Sequence, residues 1–311
     1  MRVAVIDLGT NTFNLLIAET EGKKIKTLHN EKISVKLGKG GIGDNVILPD
    51  AIERGLTALT AHNQAICHFQ PEKVIALGTS ALRTSKNSSE FIKLVKERLG
   101  INIEIISGNR EAELIYLGVL QTLDKVSGNF LILDIGGGSN EFILANKKEI
   151  IWKESFKLGM ARLNEKFNPS DPIKPEEILS MTDYFSNELT SLFSAVKRLP
   201  VDFLVGAEGA FDSFYNIINY RNNSSYRPEK NDLSKEINLE EYYRFHKLLL
   251  LTTNSDRMKM KGLEPYRVEM IVPASIFVNY ILDKLEIKHV LISSHSMKEG
   301  AAWEALNFLN N

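Results

Sequence analysis

The sequence predicts an α/β protein of two duplicated domains that face each other across a cleft. Three observations carry this expectation. The chain has 311 residues, 43% of them hydrophobic, which is enough to bury a large core and suits two domains better than one. Two stretches repeat: DLGTNTFNLLIA from Asp7 and DIGGGSNEFILA from Asp134. Laid together without a gap, Asp7 meets Asp134, Gly9 meets Gly136, Thr12 meets Ser139 and Ala18 meets Ala145. Each copy lies between apolar runs (VAVI and LLIA, FLIL and FILA), the pattern of a β-hairpin with a glycine-bearing turn. A hairpin that recurs about one domain length later points to duplication. Finally, strands and helices alternate after each hairpin, which argues for a partly parallel sheet with helices outside it.

Taken in order, the first hairpin is followed by KKIKTLHNEKISVKL, whose β-branched residues among charges read as strand. From Pro49 to about Phe69 the apolar residues Ile52, Leu56, Leu59 and Ile66 share one helical face, and Pro49 suits a first helical turn. Strand KVIALGT, helix SSEFIKLVKERLG, strand INIEIIS and helix REAELIYLGVLQTL complete the first half. The second half opens on its own hairpin and continues through strand EIIWKESF and one long helix, PEEILSMTDYFSNELTSLFSAVKRL. Strand VDFLVGAEG, helices around EEYYRFHKLLLLTT and EMIVPASIFVNYILDKLE, strand HVLISS and a last helix, MKEGAAWEALNFL, follow. Asn219 to Glu236 is polar and turn-rich and reads as a surface loop.

A net charge of −1 argues against wholesale nucleic-acid or membrane binding, so any polyanion site is a local patch. The single cysteine, Cys67, forbids an internal disulfide and is expected to pack as a small hydrophobe. MRVAVIDLG does not read as a signal peptide, and no segment forms a long uninterrupted apolar run, so a cytoplasmic soluble protein is expected. The histidines lack zinc spacing.

The chemistry-bearing motifs cluster at strand ends. In Asp134-Ile-Gly136-Gly137-Gly138-Ser139 the glycines let successive N–H groups approach a phosphate, and Ser139 adds a hydroxyl. Asp134 and Glu141 are hard oxygen donors suited to Mg²⁺. A plain hairpin turn with solvated acids explains the stretch alone equally well, but the matching turn at Asp7 to Thr12 favours a phosphate cradle. Asp7 joins the candidate metal ligands through the repeat. In GTSALRTSKNSSEF, Arg83 and Lys86 lie at the end of a strand, where α/β folds bind ligands, and Arg83 suits a bidentate phosphate contact. Glu111, in SGNREAELIYLG, is the first acid of a helix; on residue chemistry alone an acid there complements the helix dipole. GKGGIG, Gly38 to Gly43, opens no helix and reads as a flexible loop. SSHS, Ser293 to Ser296, reads as a chance match to a nucleophile. Arg257, Lys259 and Lys261 read as a solvated charge run.

Together, DLGTNTF, GTSALRTSKNSSEF, SGNREAELIYLG and DIGGGSNEF resemble, in order and spacing, the exopolyphosphatase/guanosine pentaphosphate phosphatase (Ppx/GppA) family, as do KLGMARLNEKF and the weaker GLEPYRVEMI…MKEG pattern. The resemblance implies two RNase H-like domains of the actin-like/sugar-kinase/heat-shock-ATPase fold, about 1–125 and 126–311, with the last helix (about 298–311) returning to the first domain. It implies Mg²⁺-dependent removal of the terminal phosphate of polyphosphate or pppGpp. It makes Glu111 the catalytic base and Asp134 and Glu141 acids beside the phosphate loop of Gly136, Gly137, Gly138 and Ser139. Arg83 faces that loop, and Thr10, Asn11 and Thr12 form the first domain's loop. Glu208 stands where the family reads serine and adds negative charge, unfavourable to a polyanion. Asn140 replaces a usual threonine, and Glu269 and Pro273 stand where Asp and Gly are usual. The expected function is therefore phosphoanhydride hydrolysis. An ATP-dependent small-molecule kinase and a non-catalytic pppGpp or polyphosphate sensor, the latter suggested by Glu208, are the alternatives. The oligomeric state is left open, a homodimer included.

Overall fold

The computed structural model describes residues 1–21, 24–123, 126–199, 201–228 and 233–308. The first half contains β1 (Arg2–Leu8), β2 (Thr12–Glu21), β3 (Lys24–Ser34), α1 (Pro49–Phe69), β4 (Lys73–Gly78), α2 (Ser80–Thr84), α3 (Ser88–Leu99), β5 (Ile103–Ile105) and α4 (Gly108–Leu120). The second contains β6 (Phe130–Ile135), β7 (Asn140–Ala145), β8 (Ile150–Phe156), α5 (Met160–Phe167), α6 (Pro175–Glu188), α7 (Thr190–Arg198) and β9 (Phe203–Ala207). It continues through α8 (Ala210–Asn222), β10 (Ser234–Ile237), α9 (Leu239–Leu249), α10 (Asn254–Met258), α11 (Ile271–Leu285), β11 (His289–Ser293) and α12 (Met297–Phe308).

The strands form two mixed sheets, ordered β3-β2-β1-β4-β5 and β10-β11-β9-β6-β7-β8. In each, a hairpin supplies the antiparallel part and the next strand pairs in parallel: β1 with β2 and β4, β6 with β7 and β9. The registers repeat as well, since Asp7 faces Asn14 as Asp134 faces Glu141. The duplication read from the two turns thus extends through each sheet.

Strand periodicity explains the layering. On β1, Ala4, Ile6 and Leu8 pack with Leu56, Leu59 and Phe91 of α1 and α3, while Val3 and Val5 pack with Ile115 and Val119 of α4 and Ala302 and Leu306 of α12. On β6, Leu131 and Leu133 join the core of α6, α8 and α11, while Phe130 and Ile132 face the same shared α4/α12 layer. Both central strands are buried on both faces, which accounts for their continuous apolar runs. The last helix does return to the first half: α12 packs on α4, β1 and β2. The boundary near 125 and the final residues 309–311 lie outside the described residues.

Several local expectations need correction. The long helix breaks at Leu189 (φ −96°, ψ 19°) into α6 and α7. Helix α8 was not expected, because AFDSFYNIINYRN is rich in weak helix formers; burial of Phe211, Phe214, Ile217 and Ile218 overrides that propensity. The loop expected from Asn219 begins inside α8 and ends in β10, which pairs with β11; residues 229–232 lie outside the described residues. Cys67 is exposed rather than packed. Arg257 is buried, not solvated, and its guanidinium pairs with Asp171 at 2.7 Å. No helix among the described residues is long and apolar enough to cross a membrane.

Candidate active site

The two glycine turns meet across a cavity of about 150 Å³. They close alike: Gly9 N–H donates to Thr12 O and Gly136 N–H to Ser139 O, each at 3.0 Å. Their carbonyls are held from behind. Asn11 O accepts from Val35 and Lys36 N–H and Thr10 O from Gly38 N–H. Gly136 O accepts from Met160 N–H at 2.9 Å and Gly137 O from Ala161 N–H at 2.8 Å, at the N-terminus of α5. A trans peptide directs its N–H opposite to its C=O, so the N–H groups of Asn11, Gly137 and Gly138 point away from these supports. They donate to no backbone acceptor among the described residues. The glycines are required by proximity: a Cβ on Gly137 would lie 2.4 Å from Asn11 Nδ2, and one on Gly138 2.6 Å from both Ser80 Oγ and Thr10 Oγ1. Thr10 Oγ1 is buried without a partner, so a polar ligand atom is the natural complement.

Five carboxylates line the cavity: Asp7, Glu111, Asp134, Glu141 and Glu208. Asp7 accepts from Asn14 Nδ2 at 2.7 Å. Glu141 Oε1 accepts from the hydroxyls of Ser139 and Ser155, each at 2.7 Å, and Ser296 Oγ donates to Asp134. Ser139 therefore lies in the turn, but its hydroxyl serves Glu141 in this structure. Glu111 reaches the site because α4 starts against β8; a Cβ on Gly108 would lie 2.4 Å from Ser155 Cβ. Arg83 Nη1 then donates to Glu111 Oε2 and to Ile106 O, both at 2.9 Å. Arg83 thus clamps the glutamate. Thr12 lines the cavity beside Asn11.

Burial pushes the Asp7 carboxyl up to about 6. Burial, then the Glu141 charge, pushes Asp134 up to about 8. Burial raises Glu141 against the hydroxyls of Ser155 and Ser139. Glu111 is raised well above the ordinary range by burial and by Glu141, against Arg83. This donor set is all hard oxygen and short of counter-charge, which fits Mg²⁺. Among the described residues no group of three or more His, Cys, Asp or Glu side chains is arranged to hold a metal ion, so a Mg²⁺ here would need waters or substrate oxygens to complete its shell.

A pH-dependent response to Mg²⁺ follows. Carboxyls with raised folded-state pKa values stabilise the fold fully below their unfolded values, and that contribution is lost as pH rises through the folded ones. For Asp7 and Asp134 these are about 6 and about 8. The metal-free protein should lose stability across that window, and Mg²⁺ should raise the melting temperature more at about pH 8 than at about pH 5. Equal shifts at both would count against these carboxylates as its ligands.

The expectation for Glu208 changes. Glu208 does line the cavity, but its carboxylate accepts from Lys298 Nζ, which also pairs with Glu299 at 2.9 Å. Burial alone would raise Glu208; the charges of Lys298 and Lys32, with the Lys298 hydrogen bond, together outweigh it and leave the carboxyl low. The added negative charge is therefore countered in part, by an ammonium that Glu208 shares with Glu299. Glu269 pairs with Lys36 at 3.1 Å. Pro273 lies in the first turn of α11, where no backbone N–H is missed. The cleft residues Lys32, Tyr266, Arg267 and Lys298 were missed, since each reaches the site only through tertiary packing.

Two sheets of matched register, with paired turns across a cleft, define a two-domain protein of actin-like fold. More narrowly, residues 16–308 match the model of the Ppx/GppA phosphatase family, and the chain belongs to that family. An exopolyphosphatase from Cytophaga hutchinsonii superposes with a TM-score of 0.95 at 35% identity, covering 99% of this chain and 98% of that one. The bifunctional 3-dehydroquinate synthase/phosphatase of Fusobacterium nucleatum is 32% identical over 97% of this chain. The guanosine-5'-triphosphate,3'-diphosphate pyrophosphatase of Vibrio vulnificus is 27% identical over 98%. This chain spans only 46% and 59% of those two proteins.

Proposed function

We propose that this chain hydrolyses the terminal phosphoanhydride bond of inorganic polyphosphate, of pppGpp, or of both. The observation that carries the reading is Glu111, a buried carboxylate clamped by Arg83 beside two turns whose N–H groups are free for a ligand. The terminal phosphate lies between the turns, its oxygens on the N–H groups of Asn11, Gly137 and Gly138, with Thr10 and Thr12 beside them. Glu111 orients a water and takes its proton as the water oxygen bonds to phosphorus. The bond from phosphorus to the bridging oxygen breaks, and the shortened chain leaves as a phosphate anion. Phosphoryl transfer of this kind is largely positioning and electrostatics. Arg83 stabilises charge on the transferring group and sets the Glu111 rotamer. Mg²⁺, held through Asp134, Glu141 and Asp7, supplies charge neutralisation when bound.

Lys298 weakens the main support for a non-catalytic sensor, because the Glu208 carboxylate has a cationic partner. The test is Mg²⁺-dependent phosphate release from long-chain polyphosphate, pppGpp and ATP measured side by side. Release from polyphosphate or pppGpp supports the hydrolase, and the ratio names the preferred substrate. Phosphorylation of an acceptor by ATP with no release from the other two would favour the kinase. Tight binding without release would favour the sensor.

A further inference from the structure

The segment between β3 and α1, which the sequence marks only as a glycine-rich loop, is tied to both phosphate turns. At its start, Val35, Lys36 and Gly38 hold the carbonyls of Asn11 and Thr10. At its end it is pinned to the first domain: Asn45 O accepts from Lys86 N–H, and Ile47 exchanges two hydrogen bonds with the Asn87 side chain. Between these anchors it crosses to the second domain. Gly43 N–H donates to Glu165 Oε2 at 2.8 Å, and Arg162 Nη1 donates to Ile42 O at 3.0 Å. Lys36 Nζ pairs with Glu269, whose own carbonyl accepts from Asn164 Nδ2 at 2.8 Å.

The partners on the far side belong to the support of the second turn. Arg162 donates to Gly138 O at 3.3 Å as well as to Ile42 O, and α5, which carries Arg162, Asn164 and Glu165, holds Gly136 O and Gly137 O at its N-terminus. We propose that residues 36–45 form a strap that sets the spacing of the two N–H turns, with Lys36, Glu269, Arg162 and Glu165 as its positioning residues. This rests on the hydrolase reading above. The glycines make the crossing compact: a Cβ on Gly41 would lie 2.3 Å from Val46 O and one on Gly38 2.7 Å from Thr10 Cγ2. Its contacts across the cleft are few and partly exposed, with Lys36 and Glu269 at 28% and 57% side-chain accessibility. They therefore suit a fastening that yields each time a phosphate leaves.

A fastening of this kind acts on the population of the closed form. Loosening it lowers the binding-competent fraction and raises apparent KM, while saturating substrate still closes the cleft and kcat holds. The test is E269K, K36E and the double swap K36E/E269K, each read two ways. One readout is steady-state kinetics on whichever substrate the wild type cleaves. The other needs no activity: a dye pair on Cys67, exposed on α1, and on Leu179→Cys, exposed on α6, reports the separation of the two domains.

Each single swap should widen the dye separation and raise KM about two- to fivefold, the scale of an exposed ion pair, with the double swap restoring both. High salt should mimic the single swaps. Single swaps that leave separation and KM at wild-type values would overturn the strap. So would a double swap no better than either single, or a fall in kcat with KM unchanged, which signals lost folded protein. If the wild type cleaves nothing while the dye separation still follows the charge swaps, the strap stands and the hydrolase reading falls.

Discussion

Glu111→Gln is expected to lower kcat by about 10²–10⁴-fold, the usual contribution of a general base, with substrate affinity nearly unchanged. The substitution keeps the shape of a side chain that is almost fully buried and removes only its capacity to accept a proton. Arg83 retains its second anchor at Ile106 O, so the clamp does not collapse. The same environment that makes Glu111 hard to ionise, burial and the neighbouring Glu141 charge, makes its carboxylate a better proton acceptor than an ordinary glutamate. Calorimetric titration with substrate, alongside phosphate release, separates the two quantities. A mutant that turns over at the wild-type rate would falsify the base assignment. A mutant that loses binding and turnover together would make Glu111 a structural partner of Arg83.

The sequence made some of this legible and left the rest dark for physical reasons. The hairpins were readable because each strand is apolar on both faces and each turn needs glycine where backbone approaches backbone. Their duplication was readable because Asp7 and Asp134 occupy equivalent register positions. Glu111 was ambiguous, since the first turn of any helix favours an acid; its partner Arg83 lies on another element. Pairings between distant segments left no periodic trace: Lys298 with Glu208, Lys36 with Glu269, Arg257 with Asp171. Lys298 shows the cost of that blindness, because the charge of Glu208 was visible and its ion pair was not. Helix α8 failed for the opposite reason, as local propensity pointed away from a helix that burial stabilises.

Gly300→Ala is expected to disable the proposed hydrolysis although Gly300 makes no contact with substrate in the proposed site. Helices α4 and α12 cross backbone to backbone: a Cβ on Gly300 would lie 1.8 Å from Leu114 O, and one on Gly118 2.0 Å from Ser296 O. Neither clash is with a side chain that can swing aside, so the helices must separate. Overpacking of this kind costs about 1–3 kcal/mol, occasionally more, and at about 2–4 °C per kcal/mol for domains of 150–250 residues it should appear as a clear drop in melting temperature. The catalytic loss should exceed what stability explains. Helix α4 carries Glu111 near its start, and Ser296, just before α12, donates to Asp134; the crossing therefore fixes the base relative to the acid of the second turn. A displacement of about 1 Å between such groups costs on the order of 10²-fold in rate, so kcat should fall by that much at temperatures where the variant remains folded. Gly118→Ala should act alike, and the double variant should cost much less than the sum, because the first substitution already opens the space the second needs. Additive losses would mean that the two glycines act at separate places. A Gly300→Ala protein with wild-type melting temperature and turnover would show that the crossing does not set the distance between Glu111 and Asp134.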